Sequence, residues 1–281
     1  MHRMSLRVRE SLLGGLDEVR HEPLAKRIRA ELDGATVVDT THAVLVWEPR
    51  RVVPSYAVPT RDLHARLAPA GPAAVAGDDV GKPLPEVSRR PVLDPSIPFR
   101  IHSTEGEALD VQGDDRTLPA AAFRLADPDL TGYVVLDFTA FDTWYEEDEV
   151  TVSHPRDPFH RIDVLASSRH VRLELDGTVI AESTRPVLLF ETTLPTRYYL
   201  PRADVRAELV PSATRTRCAY KGEASYFSVT LDGRTVPDLA WSYPAPLHDA
   251  GHVRDLVAFF DERIDVVLDG EPRTRPVTPW S

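Results

Sequence analysis

Arg169–Glu191 reads RHVRLELDGTVIAESTRPVLLFE, and the fold can be read outward from it. Val171, Leu173 and Leu175 alternate with Arg172, Glu174 and Asp176, a period of two that sends apolar side chains to one face of a strand and charges to the other. Asp176-Gly177 then supplies the positive φ angles of a tight hairpin. Lys26–Glu48, KRIRAELDGATVVDTTHAVLVWE, aligns with this stretch without a gap. Arg29, Glu31, Leu32, Asp33, Gly34, Thr41, Val44, Leu45 and Glu48 fall on Arg172, Glu174, Leu175, Asp176, Gly177, Thr184, Val187, Leu188 and Glu191. After one extra residue in the first copy the register returns, with YAVPTRDL (Tyr56–Leu63) on YYLPRADV (Tyr198–Val205). A looser block sets HSTEGEA (His102–Ala108) beside CAYKGEA (Cys218–Ala224), sharing Gly-Glu-Ala.

The pattern predicts a duplicated, mainly β protein. Residues 1–25 are read as an N-terminal helical segment, 26–150 as a diverged first β domain, 151–168 as a linker and 169–281 as a second β domain. A further hairpin is expected at Asp232-Gly233, where YFSVTL alternates Phe227, Val229 and Leu231 against polar neighbours. Helical periodicity is confined to RVRESLLGGLDEVR near the start and TRDLHARL after Pro59. The Pro/Gly/Ala-rich run from APAGPAAVAGDD to RRPVLDPS reads as a long loop inside the first copy.

Composition excludes several classes. The 281 residues, 42% hydrophobic, suffice for one large core or two smaller ones. The longest apolar runs, such as RPVLLFE, are too short to span a bilayer, and no apolar stretch follows MHRMSLRVRE, so a cytoplasmic protein without membrane contact is expected. A net charge of −11 and a pI near 5.4 disfavour phosphate neutralisation, so nucleic acid is not an expected partner. One cysteine rules out an intrachain disulfide framework and a Cys-pair zinc knuckle. No cofactor is expected.

ELDGTVIAESTRPVLLFETTLPTRYYLPRADV, CAYKGEASYFSV, AWSYPAP and GHVRDLVAFFDERIDVVLDG, in that order over Ser167–Gly270, resemble the consecutive blocks of the DUF427 family, a bacterial domain of uncharacterised function. Lys26 to about Glu149 is similar to a diverged second copy of it. The resemblance implies a β-tent (Mss4-like) fold, in which two antiparallel sheets lean together at an angle. Other members of that wider fold group often hold zinc through paired cysteines, which the lone Cys218 cannot do.

The candidate chemistry lies in the second copy. Arg197 in PTRYYLP, flanked by Tyr198 and Tyr199, can hold a carboxylate or phosphate through two parallel hydrogen bonds, or can be a structural arginine paired with Glu191 or Asp204. Lysine is scarce, three of the 33 basic residues, so Lys221 near Cys218 stands out. The pair reads as an activated nucleophile, with His252 as candidate base, or as a small buried thiol beside a solvated or ion-paired lysine. Tyr220, Tyr226, Trp241 and Tyr243 are either a ligand wall or ordinary core and hairpin surface. Ser55 stands opposite Arg197, His102 opposite Cys218, Glu105 opposite Lys221 and Phe123 opposite Trp241. The asymmetry predicts that Arg197, Cys218, Tyr220, Lys221, Tyr226, Trp241 and His252 converge on one partly open cavity for an anionic, partly apolar small molecule. The alternative is a non-catalytic interaction module. The residues name no reaction and fix no oligomeric state. In HPRDPFHRID, His154, Asp157, His160 and Asp163, with His170 following, offer ligands for a divalent metal, but a rigid Pro-containing connector with salt bridges is the simpler reading and no metal is expected.

Overall fold

The computed structural model describes residues 5, 8, 11, 14–71, 95–231 and 233–281, and divides into two compact units, Met1–Asp157 and Pro158–Ser281. Among the described residues the fold is mainly β, built of antiparallel sheets with a few short 3-10 turns and no closed barrel. Among the described residues no helix is long and apolar enough to cross a membrane.

The first unit contains β1 (Arg20–Pro23), β2 (Ile28–Leu32), β3 (Ala35–Thr40), β4 (Val44–Trp47), β5 (Ser55–Pro59), β6 (Arg66–Pro69), β7 (Gly106–Gln112), β8 (Thr117–Leu125), β9 (Tyr133–Leu136), β10 (Thr143–Glu146) and β11 (Glu149–Thr151). They form a seven-stranded sheet, β1-β4-β5-β9-β8-β7-β6, and a four-stranded sheet, β11-β10-β2-β3. The second unit contains β12 (Ile162–Ala166), β13 (Val171–Leu175), β14 (Thr178–Ser183), β15 (Val187–Glu191), β16 (Arg197–Tyr199), β17 (Glu208–Cys218), β18 (Gly222–Leu231), β19 (Arg234–Ser242), β20 (Ala258–Phe259), β21 (Asp265–Leu268) and β22 (Glu271–Arg273). Their sheets are β12-β15-β16, β17-β18-β19-β20 and β14-β13-β21-β22. Leu200 and Val257, just outside β16 and β20, exchange both backbone hydrogen bonds at 2.8 and 2.9 Å, so the first two sheets run on as β12-β15-β16-β20-β19-β18-β17. Strand for strand, this is the order of the first unit.

Local detail agrees as well. Both hairpins turn on an Asp-Gly pair at positive φ, 54° and 78° at Asp33-Gly34, 50° and 79° at Asp176-Gly177. The ladders slip at matching places, Ala30/Glu31 and Leu173/Glu174. Thr40 Oγ1 donates to Asp62 and Ser183 Oγ to Asp204, each at 2.7 Å. Each unit has its larger core on the inner face of its strands, with Ile28, Leu45, Tyr56 and Leu136 in the first and Leu173, Leu188, Leu200 and Phe259 in the second, and a smaller buried cluster on the other face.

Several expectations need correction. The loose Gly-Glu-Ala block is out of register. Phe123 pairs with Ala108 and Trp241 with Tyr226, the bulges lie at Leu109/Val111 and Phe227/Val229, and Ala120 and Asp238 both carry positive φ. Paired strands must shift together, so His102 answers Tyr220 and Ser103 answers Lys221, two residues from the match made on sequence. TRDLHARL is a single 3-10 turn, Thr60–Asp62, followed by β6, because pairing with β7 outweighs a short helical period. Of the segment read as helical, Arg20–Pro23 is β1, paired with β4; most of residues 1–13 lie outside the described residues. The long loop at 72–94 and Asp232 also lie outside them. Within the stretch read as linker, Ile162–Ala166 forms β12 against β15.

A side chain at Gly34 or Gly177 has open space but a left-handed backbone. Gly34→Val and Gly177→Val are therefore expected to cost similar amounts, on the order of 1–2 kcal/mol each, in chemical denaturation.

Candidate functional site

The outer face of the long strand run in the second unit carries the polar residues. Alternation along β15 and β16 puts Val187, Leu189, Glu191, Arg197 and Tyr199 on this face and Leu188 and Tyr198 on the inner one. β18 and β19 add Ala224, Tyr226, Trp241 and Tyr243. Gly222, at φ +93°, turns the chain from β17 into β18 where an added Cβ would lie 3.3 Å from the Ala245 carbonyl, and this turn directs Lys221 inward.

Two buried ion-pair systems occupy the face. Lys221 Nζ donates to both oxygens of Glu191, at 2.7 and 2.6 Å, and His160 Nε2 lies 3.0 Å from Glu191 Oε1 while its ring stacks on Tyr220. Burial raises the Glu191 carboxyl, but Lys221 and His160 outweigh it and bring it down to about 2. Burial lowers Lys221, and the Glu191 charge more than compensates, leaving it above its ordinary range. Arg197 forms the second system. Its Nη1 and Nη2 donate to Glu262 Oε2 and Oε1 at 2.8 and 2.6 Å, and Thr278 Oγ1 donates to Glu262 Oε1 at 2.6 Å. Its guanidinium lies 5.6 Å from the Trp241 ring and 6.0 Å from that of Trp280. Asp261 stands 3.8 Å from Nη1, too far for a hydrogen bond, and burial pushes its carboxyl up to about 7 against the pull of Arg197. Tyr199 lies between the two systems. It accepts a hydrogen bond from Trp241 Nε1 at 3.1 Å, and burial raises its hydroxyl to about 12.

Arg197, Lys221, Tyr226, Trp241 and Tyr243 thus gather around Tyr199, while the Tyr220 ring stacks on His160. Cys218, half-buried at the end of β17, lies beside them; its sulfur accepts from the Tyr220 backbone N–H at 3.5 Å. Tyr226 shares a hydrogen bond with Thr216 and faces Phe260. Tyr198 is on the opposite face, in the inner core. His252 is exposed on the turn His248–Val253, its Nδ1 3.4 Å from the Val164 carbonyl. The partner of Arg197 is Glu262, not Glu191 or Asp204, and Asp204 instead holds Ser183 and Arg185. Sequence reasoning missed Tyr199, Asp261, Glu262 and the role of Glu191. Only Glu191 carried a signal, as an acid matched by Glu48 in the first unit. Of the residues considered for metal, His160 faces Glu191, His170 faces Glu182 and Asp163 pairs with Arg161. Among the described residues no group of three His, Cys, Asp or Glu side chains is placed to hold a metal ion.

In the first unit the same face is more apolar. Ala57 stands for Tyr199, Phe123 for Trp241, Leu125 for Tyr243 and Ser55 for Arg197, while Glu48 is kept and accepts from the Ser103 backbone N–H at 2.9 Å, with His102 Nδ1 at the same distance.

The two acids have opposite pH signatures. Glu191 is lowered in the fold, so its contribution is present above the unfolded value near 4.5 and is lost as pH falls towards 2. Glu191→Gln leaves Lys221 buried without its counter-charge and is expected to cost about 3–5 kcal/mol at pH 7 in urea unfolding. Asp261 is raised, so stability present below about 3.8 is lost as pH climbs to about 7. Asp261→Asn should therefore stabilise the protein at pH 8, by at most about 4 kcal/mol, and change it little at pH 4.

Residues 163–270 match the family described as a domain of unknown function (DUF427). The matched stretch takes in Glu191, Arg197, Lys221, Trp241, Asp261 and Glu262 and leaves out His160, Thr278 and Trp280. No curated protein matches the chain. The match lies wholly within the second unit, which therefore carries a DUF427 domain over residues 163–270.

Proposed function

We propose that the second unit binds a small anionic, partly apolar molecule beside Arg197, against the wall of Trp241, Tyr226 and Phe260. We also infer that the two units arose by duplication of one β domain, whose first copy lost this site. The matching strand orders, bulges and Asp-Gly turns support the duplication, and replacement of the polar outer face by Ala57, Phe123, Leu125 and Ser55 supports the loss.

The observation that carries the ligand reading is the incomplete coordination of Arg197. Its Nη atoms are spent on Glu262, and among the described residues no other acceptor is within hydrogen-bonding distance of the guanidinium. Asp261, the other nearby carboxylate, gives up its charge near pH 7. An incoming carboxylate or phosphate takes the place of that second charge while Asp261 takes up a proton, so affinity rises as pH falls through about 7. The net charge of −11 argues against nucleic acid as the ligand.

The interaction-module reading is favoured by one fact: Lys221 is fully engaged by Glu191 and has no charge to offer a ligand. Thermal-shift measurements with a panel of small carboxylates and phosphates at pH 6 and pH 8, with native mass spectrometry for any retained molecule, separate the two. A stabilising anion with a larger effect at pH 6, lost in Arg197→Lys because an ammonium cannot reproduce the two-pronged geometry, is the expected result. Absence of any anion-dependent shift at either pH, with nothing retained, leaves the module reading.

A further inference from the structure

Where the second unit has the Arg197 ion pair, the first unit has a cavity. Its volume is about 180 Å³, and its lining includes Arg51, Ser55, Phe99, Asp137, Phe138 and Thr139. The correspondence follows from strand register. Ser55 and Arg197 open β5 and β16, whose next residues, Tyr56 and Tyr198, pair with Leu45 and Leu188. Leu136 and Phe259 pair with Ala122 and Ala240, so Phe138 and Thr139 take the places of Asp261 and Glu262. A serine and a threonine thus stand where a guanidinium meets a carboxylate, and the volume of those two side chains is open. It exceeds the roughly 150 Å³ that admits a benzene ring.

The charges of the wall do not cancel. Arg51 is buried, donates through Nη1 and Nη2 to the carbonyls of Ile97, Pro98 and Ile101 at 2.9, 2.8 and 2.6 Å, and has Glu48 3.7 Å from Nε. Asp137 accepts from the backbone N–H and the hydroxyl of Thr139, at 2.9 and 2.8 Å, both on Oδ1. Among the described residues Oδ2 accepts no hydrogen bond. Arg51 feels the charges of both Glu48 and Asp137, so these two carboxylates exceed the one arginine by a negative charge, and Asp137 keeps an unspent acceptor in a cavity also lined by Phe99 and Phe138.

We propose that this cavity binds a small molecule carrying a guanidinium or primary ammonium group, with the cation on Asp137 Oδ2 and its alkyl chain along Phe99 and Phe138. The ligand supplies from outside the cation that Arg197 supplies within the second unit. The inference rests on the strand correspondence and not on the anion reading of the second unit.

Calorimetric titration of the full chain with n-butylguanidinium and with its neutral isostere n-butylurea tests it. The cation should bind at least tenfold more tightly than the urea. Asp137→Asn, which keeps an oxygen for the Thr139 contacts, should erase the difference. Ser55→Arg, which places the chain's own guanidinium in the cavity, should abolish binding while the protein still melts cooperatively. Equal affinity for the two probes, no binding of the cation at millimolar concentration, or full binding by Ser55→Arg would each overturn the proposal. If Asp137→Asn does not fold, the isostere comparison and Ser55→Arg decide it.

Discussion

A strand has two faces, and in this protein one of them is sealed. In each unit the inner face of the long strand run is closed against a second sheet, where an unpaired polar group would be costly, so residues there must be apolar or fully hydrogen-bonded. Ile28, Leu45 and Leu136 in the first unit, and Leu173, Leu188 and Phe259 in the second, satisfy that demand. Tyr56 brings a polar group to that face and satisfies it: its hydroxyl donates to Glu146 at 2.7 Å. Chemical difference between the units is therefore concentrated on the outer face, where a substitution does not disturb the contact between sheets.

On that face the second unit bears the larger thermodynamic burden, two buried ion-pair systems against the single Arg51–Glu48 pair of the first. Burying Glu191 with Lys221, and Arg197 with Glu262, removes four charges from water, and such pairs commonly contribute less to stability than apolar side chains of the same shape. Ala57, Phe123 and Leu125 in the first unit are an apolar filling of the same positions. A fold that stands with either filling does not need the charged one for its architecture. That contrast directs attention to function, because strongly perturbed acids such as Asp261 concentrate at sites that bind or react.

Glu48 and Glu191 show how much context one residue needs. Both stand at the same place at the end of equivalent strands, and the side chains of both are largely shielded from solvent. The first is met by a backbone N–H and a histidine, the second by a lysine and a histidine. The acid came with the strand, whereas its partners come from loops more than 25 residues away in sequence. The same holds for Arg197, whose nearest acids in sequence are not its partners and whose carboxylate, Glu262, arrives just beyond β20.

The hairpins, their Asp-Gly turns, the two similar halves and the alternation that separates inner from outer residues were all readable along the chain, because these depend on neighbours two to ten positions apart. The sequence also pointed to most of the side chains that gather around Tyr199. Tertiary structure decided the rest. The choice of Tyr199 over Tyr198 depends on which face of β16 is sealed. The exchange between Leu200 and Val257 joins segments with no local signature. The correct matching of Lys221 to Ser103 depends on β7 and β18 being locked to β8 and β19, so that neither strand can slip alone. Backbone pairing fixes register to a single residue, whereas side-chain likeness over a three-residue block does not, and for that reason the fold was legible in the chain while the composition of its site was legible only in part.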